Sequence, residues 1–234
     1  MKNIRWQNMH DAPDLCPGAL HLWRIRIGDD GADPDRCVVL LGERQRARAQ
    51  KMRLDAVRER YIRAQAGLRL ILARYLHTPP QAIDFGYGPA GKPSLHGALH
   101  ILSFNLSTSG DLALVGLSAG SGPESELGVD CEWIRPRMDH QAIAARMFAP
   151  ERAQELAATP EPERLSAFYR AWTALEADAK ADGRGLFRPR PPGTCRPMIA
   201  HCIPEPGYVA AVARVNLPPV SDWLTFDLHW IDLT

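Results

Sequence analysis

Two carboxylates stand one residue apart in Leu127-Gly128-Val129-Asp130-Cys131-Glu132-Trp133-Ile134. Apolar and small residues flank them, so the stretch reads as a strand. Side chains alternate along a strand, which puts Asp130 and Glu132 on the same face. Two ionised carboxylates on one face repel each other and resist losing their water. A divalent cation relieves both problems. Mg²⁺ suits such a pair, because it takes hard oxygen ligands, usually one or two carboxylates, with waters and phosphate oxygens filling the octahedron. The plainer alternative makes Leu127, Val129, Cys131 and Trp133 a core face and leaves the carboxylates in solvent.

A second stretch lies downstream, from Phe168 to Leu186 (FYRAWTALEADAKADGRGL). Its Ala, Leu, Glu and Lys favour helix, and Gly183 and Gly185 supply a C-terminal stop. Phe168, Trp172, Glu176 and Lys180 recur every four residues and form one slowly drifting stripe. The aromatic half anchors the helix in a core, and the charged half emerges at its rim. Taken alone, Glu176 and Lys180 are equally well an exposed i,i+4 ion pair.

Together the two stretches are far more specific. GVDxE followed by FYxxWTxxEAxxKxxGxGL resembles the 4'-phosphopantetheinyl transferases, in particular the long, surfactin-synthetase-activating type. The resemblance implies an α+β fold, a pseudo-dimer of two similar halves, each a small antiparallel sheet packed on a long helix, with coenzyme A in the cleft between them. The implied reaction moves 4'-phosphopantetheine from coenzyme A to a serine of an apo acyl or peptidyl carrier protein. By motif, Asp130, Glu132 and Glu176 hold Mg²⁺, with Mn²⁺ as the other candidate. Glu176 is the base for the serine, and Lys180 stabilises the leaving phosphate. Asp130 and Lys180 also count among the coenzyme A contacts.

The elements that must position these groups follow. His21 to Ile27 alternates and reads as a strand. From about Val39 to Leu76 the pattern is helical, with a break near Leu54-Asp55. This region carries ten basic residues, among them Arg44, Arg46, Arg48, Lys51 and Arg60, against Glu43, Asp55 and Glu59. It reads as a solvated surface or as a phosphate-binding face, since guanidinium donors match phosphate oxygens. The segment is similar to the family's basic helices that hold the 3'-phosphate of coenzyme A, with Arg44, Arg48 and Arg60 the nearest matches. Arg69 occupies a common family position without an assignable contact, and Gln65 stands where relatives often carry Arg.

Gly88-Pro89-Ala90-Gly91-Lys92-Pro93-Ser94-Leu95 is similar to the family's GxxGKPxL element, which implicates Lys92 and Pro93 in coenzyme A binding. Without the resemblance it is a Gly/Pro turn cluster. Next, Phe104-Asn105-Leu106-Ser107-Thr108-Ser109-Gly110 matches the family's FNxSHSG at Ser107 and Ser109. Thr108 replaces the expected His and cannot become cationic, so coenzyme A binding is expected to be weaker or compensated by a neighbouring Arg. Two further departures lie in the long helix. Leu175 replaces the usual Lys before Glu176, and Asp178 brings another carboxylate near it.

Ala119-Gly120-Ser121-Gly122-Pro123 divides the chain into halves at 1–122, the coenzyme A side, and 123–234, the carboxylate side. Arg135, Arg137, Arg146 and Arg152, between the carboxylate strand and the long helix, are candidate contacts for an acidic carrier protein. Residues 139–147 and a segment opening at Phe148 read as short helices, and Tyr208–Val215 and Trp223–Trp230 as closing strands. Five cysteines without CxxC spacing read as reduced thiols. No apolar run is long enough for a membrane span, and the N-terminus lacks a signal-peptide core. A cytoplasmic monomer is expected, with no membrane or nucleic-acid partner, the net charge being only +1. The rival readings are a non-catalytic module that holds coenzyme A or a carrier protein, and a nucleic-acid binder using the Arg-rich helices.

Overall fold

The computed structural model describes residues 1–29, 31–99, 101–120, 122–136, 139–186, 188–190 and 192–230. Short strands β1 (Lys2–Asn3) and β2 (Gln7–Asn8) precede β3 (Leu20–Arg26). Three helices follow: α1 (Pro34–Val38), α2 (Glu43–Gln50) and α3 (Asp55–Leu76). A hairpin, β4 (Phe85–Tyr87) with β5 (Pro93–Leu95), leads to β6 (Leu102–Ser109) and β7 (Leu112–Ala119). Then come β8 (Leu127–Trp133), α4 (His140–Met147), α5 (Pro150–Ala158) and α6 (Glu161–Asp182). The chain closes with β9 (Met198–Ile203), β10 (Tyr208–Arg214) and β11 (Leu224–Leu228).

Two mixed sheets result, ordered β2-β11-β3-β7-β6 and β1-β9-β10-β8. The ends of the chain cross over. β1 pairs in parallel with β9, and β11 pairs in parallel with β3. The sheets therefore do not divide at residue 122: the last strand completes the first sheet and the first strand completes the second. Helix begins at Pro34, and Val39 to Gly42 interrupt it before α2. β9 had no alternation strong enough to announce it.

Alternation along β3 explains the stacking. Trp23 and Ile25 face α3, where they meet Ala64, Leu68, Ile71 and Leu72. Leu20 and Leu22 face the other way, against Leu127, Val129 and Cys131 of β8 and Val212 of β10. Ala211 and Ala213 on the far side of β10 contact Ala177 and Ala181 of α6. The packing order is α3, first sheet, second sheet, α6. Each long helix ends in a left-handed residue, His77 at φ 47° and Gly183 at φ 67°, which is how helices commonly terminate. No described helix is long and apolar enough to cross a membrane.

His21 is fully buried on the α3 side of β3. Its Nδ1 lies 2.7 Å from the Tyr75 hydroxyl, which also accepts a hydrogen bond from Trp23 Nε1 at 3.0 Å. Its Nε2 is buried without a partner among the described residues. Burial, and secondarily the Arg74 charge, push the His21 pKa down to about 4. The unfolded chain thus takes up a proton at His21 between pH 6.5 and 4 that the folded chain refuses. The contribution is intact above pH 6.5 and is lost as the pH falls towards 4, by roughly 3 kcal/mol at most. Urea unfolding across that range should show a fall in stability that His21→Gln flattens; an equal slope in the variant would refute the assignment.

Candidate active site

Site geometry begins with small residues. A Cβ on Gly128 would lie 1.9 Å from the Ala177 carbonyl oxygen and 2.6 Å from the Ala181 amide nitrogen. β8 and α6 therefore touch backbone to backbone, which only glycine allows here. That contact sets which α6 residues face the carboxylates. Asp130 is buried and Glu132 half-buried, because α6 covers their side of β8, and Leu127, Val129 and Cys131 point into the core between the sheets.

Lys180 donates to Asp130 Oδ1 at 2.6 Å and to Ser107 Oγ at 3.3 Å. Ser107 in turn donates to Asp130 Oδ1 at 3.0 Å. Ser109 donates to Glu132 Oε2 at 2.7 Å, and Trp172 Nε1 donates to Glu132 Oε1 at 3.3 Å. Asp130 is 2% exposed. Burial raises its pKa to about 7, against the attraction of Lys180 and with help from Glu132 and Glu176. Burial also raises the Glu176 pKa, Lys180 opposing and Glu132 reinforcing the shift. Asp130, Glu132, Glu176 and Lys180 thus form one electrostatic group.

The donor set suits a hard divalent cation. Asp130 Oδ2 is buried with no hydrogen-bond partner among the described residues, while two more carboxylates act on the same group. Among the described residues no three His, Cys, Asp or Glu side chains are placed so that together they could hold a metal ion. Mg²⁺ commonly takes one or two carboxylates and leaves its other positions to water and phosphate.

Beside this group lies a cleft of about 890 Å³ that draws on both parts of the chain. One wall carries Arg44, Arg48, Arg60, Tyr61, Tyr87, Pro93 and Thr108, and the other Glu132, Arg135, Tyr169 and Trp172. The Arg44 guanidinium carbon sits 3.7 Å from the centroid of the Tyr87 ring, and that of Arg48 5.3 Å from Tyr61. Aromatic faces hold these cations without neutralising them. Arg60 Nε donates to Asp111 Oδ1 at 2.7 Å.

Other sequence expectations fall elsewhere. Lys92 is absent from the cleft lining and lines a separate cavity. Its ammonium contacts Glu126 and donates to the Leu127 and Ala181 carbonyls at 3.2 and 2.7 Å. Ser107 faces the seam between β6 and β8 rather than the cleft, while Thr108, next along the strand, faces the cleft. Asp178 does not burden Glu176 as an unpaired charge, because Arg184 and Arg190 both pair with it. Arg69 is buried and structural, donating to Gln45 at 2.6 Å and to the carbonyls of Pro80 and Ile83 at 2.6 and 2.9 Å. Gln65 accepts from Gln45 Nε2 at 2.6 Å in the same network. Arg137 lies outside the described residues. Ser109, Gly128 and Trp172 escaped assignment as supports of the carboxylates. The period-two run Asn105, Ser107, Ser109 is the signal that pointed to the first.

The profile of the 4'-phosphopantetheinyl transferase superfamily matches residues 126–201. Among characterised relatives, the 4'-phosphopantetheinyl transferase HetI of Nostoc sp. is 31% identical over 214 residues, 85% of this chain and 89% of HetI. A Synechocystis sp. protein provisionally named for the same activity is 36% identical over 148 residues, 63% of this chain and 58% of that protein. The 4'-phosphopantetheinyl transferase AcpT of Salmonella typhimurium is 37% identical over 120 residues, 51% of this chain and 58% of AcpT. The chain spans somewhat more than half the length of the latter two.

The Gly128 contact can be tested directly. Gly128→Ala should force α6 off β8 and cost about 2 to 3 kcal/mol, the upper range for an overpacked interior. The check is the urea unfolding midpoint at unchanged m-value. A midpoint like that of the parent chain would show that the backbones do not touch.

Proposed function

The chain belongs to the 4'-phosphopantetheinyl transferase superfamily, and from that premise we propose that it transfers 4'-phosphopantetheine from coenzyme A to a serine of an apo acyl or peptidyl carrier protein. The observation that carries this reading is the two-signed cleft. Arg44, Arg48 and Arg60 line one wall, and the other wall leads through Glu132 to Asp130, Glu176 and Lys180. A bulky ligand with several phosphates fits the arginine wall. The carboxylate group would hold Mg²⁺, or Mn²⁺, through Asp130, Glu132 and Glu176.

In this mechanism the carrier serine hydroxyl loses its proton to Glu176, directly or through a water. Its oxygen forms a bond to the phosphorus bearing the pantetheine arm. The phosphoanhydride bond on the other side breaks, and 3',5'-ADP leaves with the electron pair. A bound Mg²⁺ would supply neutralisation of the phosphate oxygens as charge shifts to the leaving group. Glu176 suits the role of base because burial lifts its proton affinity towards the working pH. Lys180 has one 2.6 Å contact, with Asp130, and 30% side-chain exposure, so its charge can reach the leaving phosphate. Positioning and charge stabilisation carry most of phosphoryl transfer.

Further parts of the reading rest on the same geometry. Two 22-residue helices, each covering a sheet and each ended by a left-handed residue, support a pseudo-dimer in one chain, the long type of the family. Arg135 lines the same cleft as Thr108, a cation on the wall across from the position where the family pattern has His. Arg135 and Arg146 are proposed contacts for an acidic carrier. Arg152 is engaged by Glu155 at 2.7 Å and is the weaker candidate.

Intact mass of an apo acyl carrier protein after incubation with this protein, coenzyme A and Mg²⁺ tests the proposal. We expect a gain of one phosphopantetheine, abolished by EDTA and slowed by about 10²-fold or more in Glu176→Gln. No gain on acyl or peptidyl carriers by a folded sample would overturn it in favour of a non-catalytic binding module.

A further inference from the structure

The serines of β6 repeat one arrangement twice. Ser107 Oγ accepts the Cys131 amide at 3.1 Å and donates to Asp130, the residue just before it. Ser109 Oγ accepts the Trp133 amide at 3.0 Å and donates at 2.7 Å to Glu132, again the residue just before it. Asn105 Oδ1 accepts the Val129 amide at 2.8 Å and opens the series. The Ser-x-Ser spacing on one strand therefore matches the Asp-x-Glu spacing on the other. Both strands are extended and both periods are two, so the register repeats without adjustment.

We propose that Ser109 is a positioning residue that fixes the Glu132 carboxylate for a divalent cation. The inference rests on the reading that these carboxylates hold that cation. A backbone amide takes one of the two lone pairs of the hydroxyl and so narrows the directions its proton can point. Ser109 therefore orients Glu132 Oε2 from the β6 side, while Trp172 orients Oε1 from the α6 side. Each carboxylate oxygen keeps acceptor capacity after one hydrogen bond. The pair of neutral donors sets direction without neutralising the charge. Ser109 is the informative member, because Ser107 also contacts Lys180.

Binding of Mn²⁺ alone, followed by electron paramagnetic resonance, separates positioning from simple support of the fold. In Ser109→Ala we expect about tenfold weaker Mn²⁺ binding, in the range for lost outer-shell partners of a metal site. A matching rise in the metal concentration for half-maximal transfer is expected. Ser109→Thr, which keeps the hydroxyl, should restore Mn²⁺ affinity. If Ser109→Ala melts at a lower temperature yet binds Mn²⁺ like the parent, the positioning inference falls and the transferase reading stands. If the parent chain transfers phosphopantetheine with EDTA present and binds no Mn²⁺, the metal reading and this inference fall together.

Discussion

The backbone contact between α6 and β8 at Gly128 is the constraint on which the rest of the site depends. Ala177, Ala181, Ala211 and Ala213 extend it into a seam of small residues. Small side chains lower the helix onto the sheet, so a lysine one turn along can reach a carboxylate on the strand. Lys92 secures the same contact from its end. It bonds the Leu127 carbonyl at the start of β8 and the Ala181 carbonyl in the last turn of α6. Late helix carbonyls lack partners within the helix, so one ammonium satisfies them and ties β8, α6 and the loop after β4 together.

The second constraint is the junction of the two sheets. β6 ends one sheet and β8 ends the other. Strand edges present unpaired amides that need partners. Here side chains replace the backbone ladder, with Asn105, Ser107 and Ser109 taking the amides of Val129, Cys131 and Trp133. A side-chain bridge holds the strands further apart than a backbone ladder does, and polar atoms fill the interval. The same hydroxyls reach the carboxylates, so the join between the sheets and the order of the site are one network.

Much of this was legible in the sequence, for reasons that the exceptions clarify. The β8 alternation and the four-residue stripe of α6 report local periods, and both elements formed where those periods lie. Composition marked the segment that carries the cleft arginines only as basic; Arg44 and Arg48 on α2 and Arg60 on α3 were singled out by the resemblance. Lys92 shows the limit. Its loop has the composition of a ligand-binding turn, but a carbonyl 89 positions away captures its ammonium, and no local pattern encodes that. Asp178 carries the same lesson. Its charge looked unfavourable beside Glu176 until the partners Arg184 and Arg190 came from the segment after the helix. The crossing of the chain ends was equally hidden, since strands of two residues have no readable period.

The charge distribution of the cleft completes the physical argument. Arg44 and Arg48 rest on aromatic rings and keep their full charge facing the cavity. Of the carboxylates Glu132 lines the cavity, Asp130 and Glu176 are coupled to it and to Lys180, and burial has already raised the proton affinity of these two. A polyphosphate drawn to the arginines would bring a divalent cation to the carboxylates, each relieving the field that opposes the other. Lys180 and Ser107 already offset part of the cost of burying Asp130 next to two like charges, and a bound cation would offset the rest.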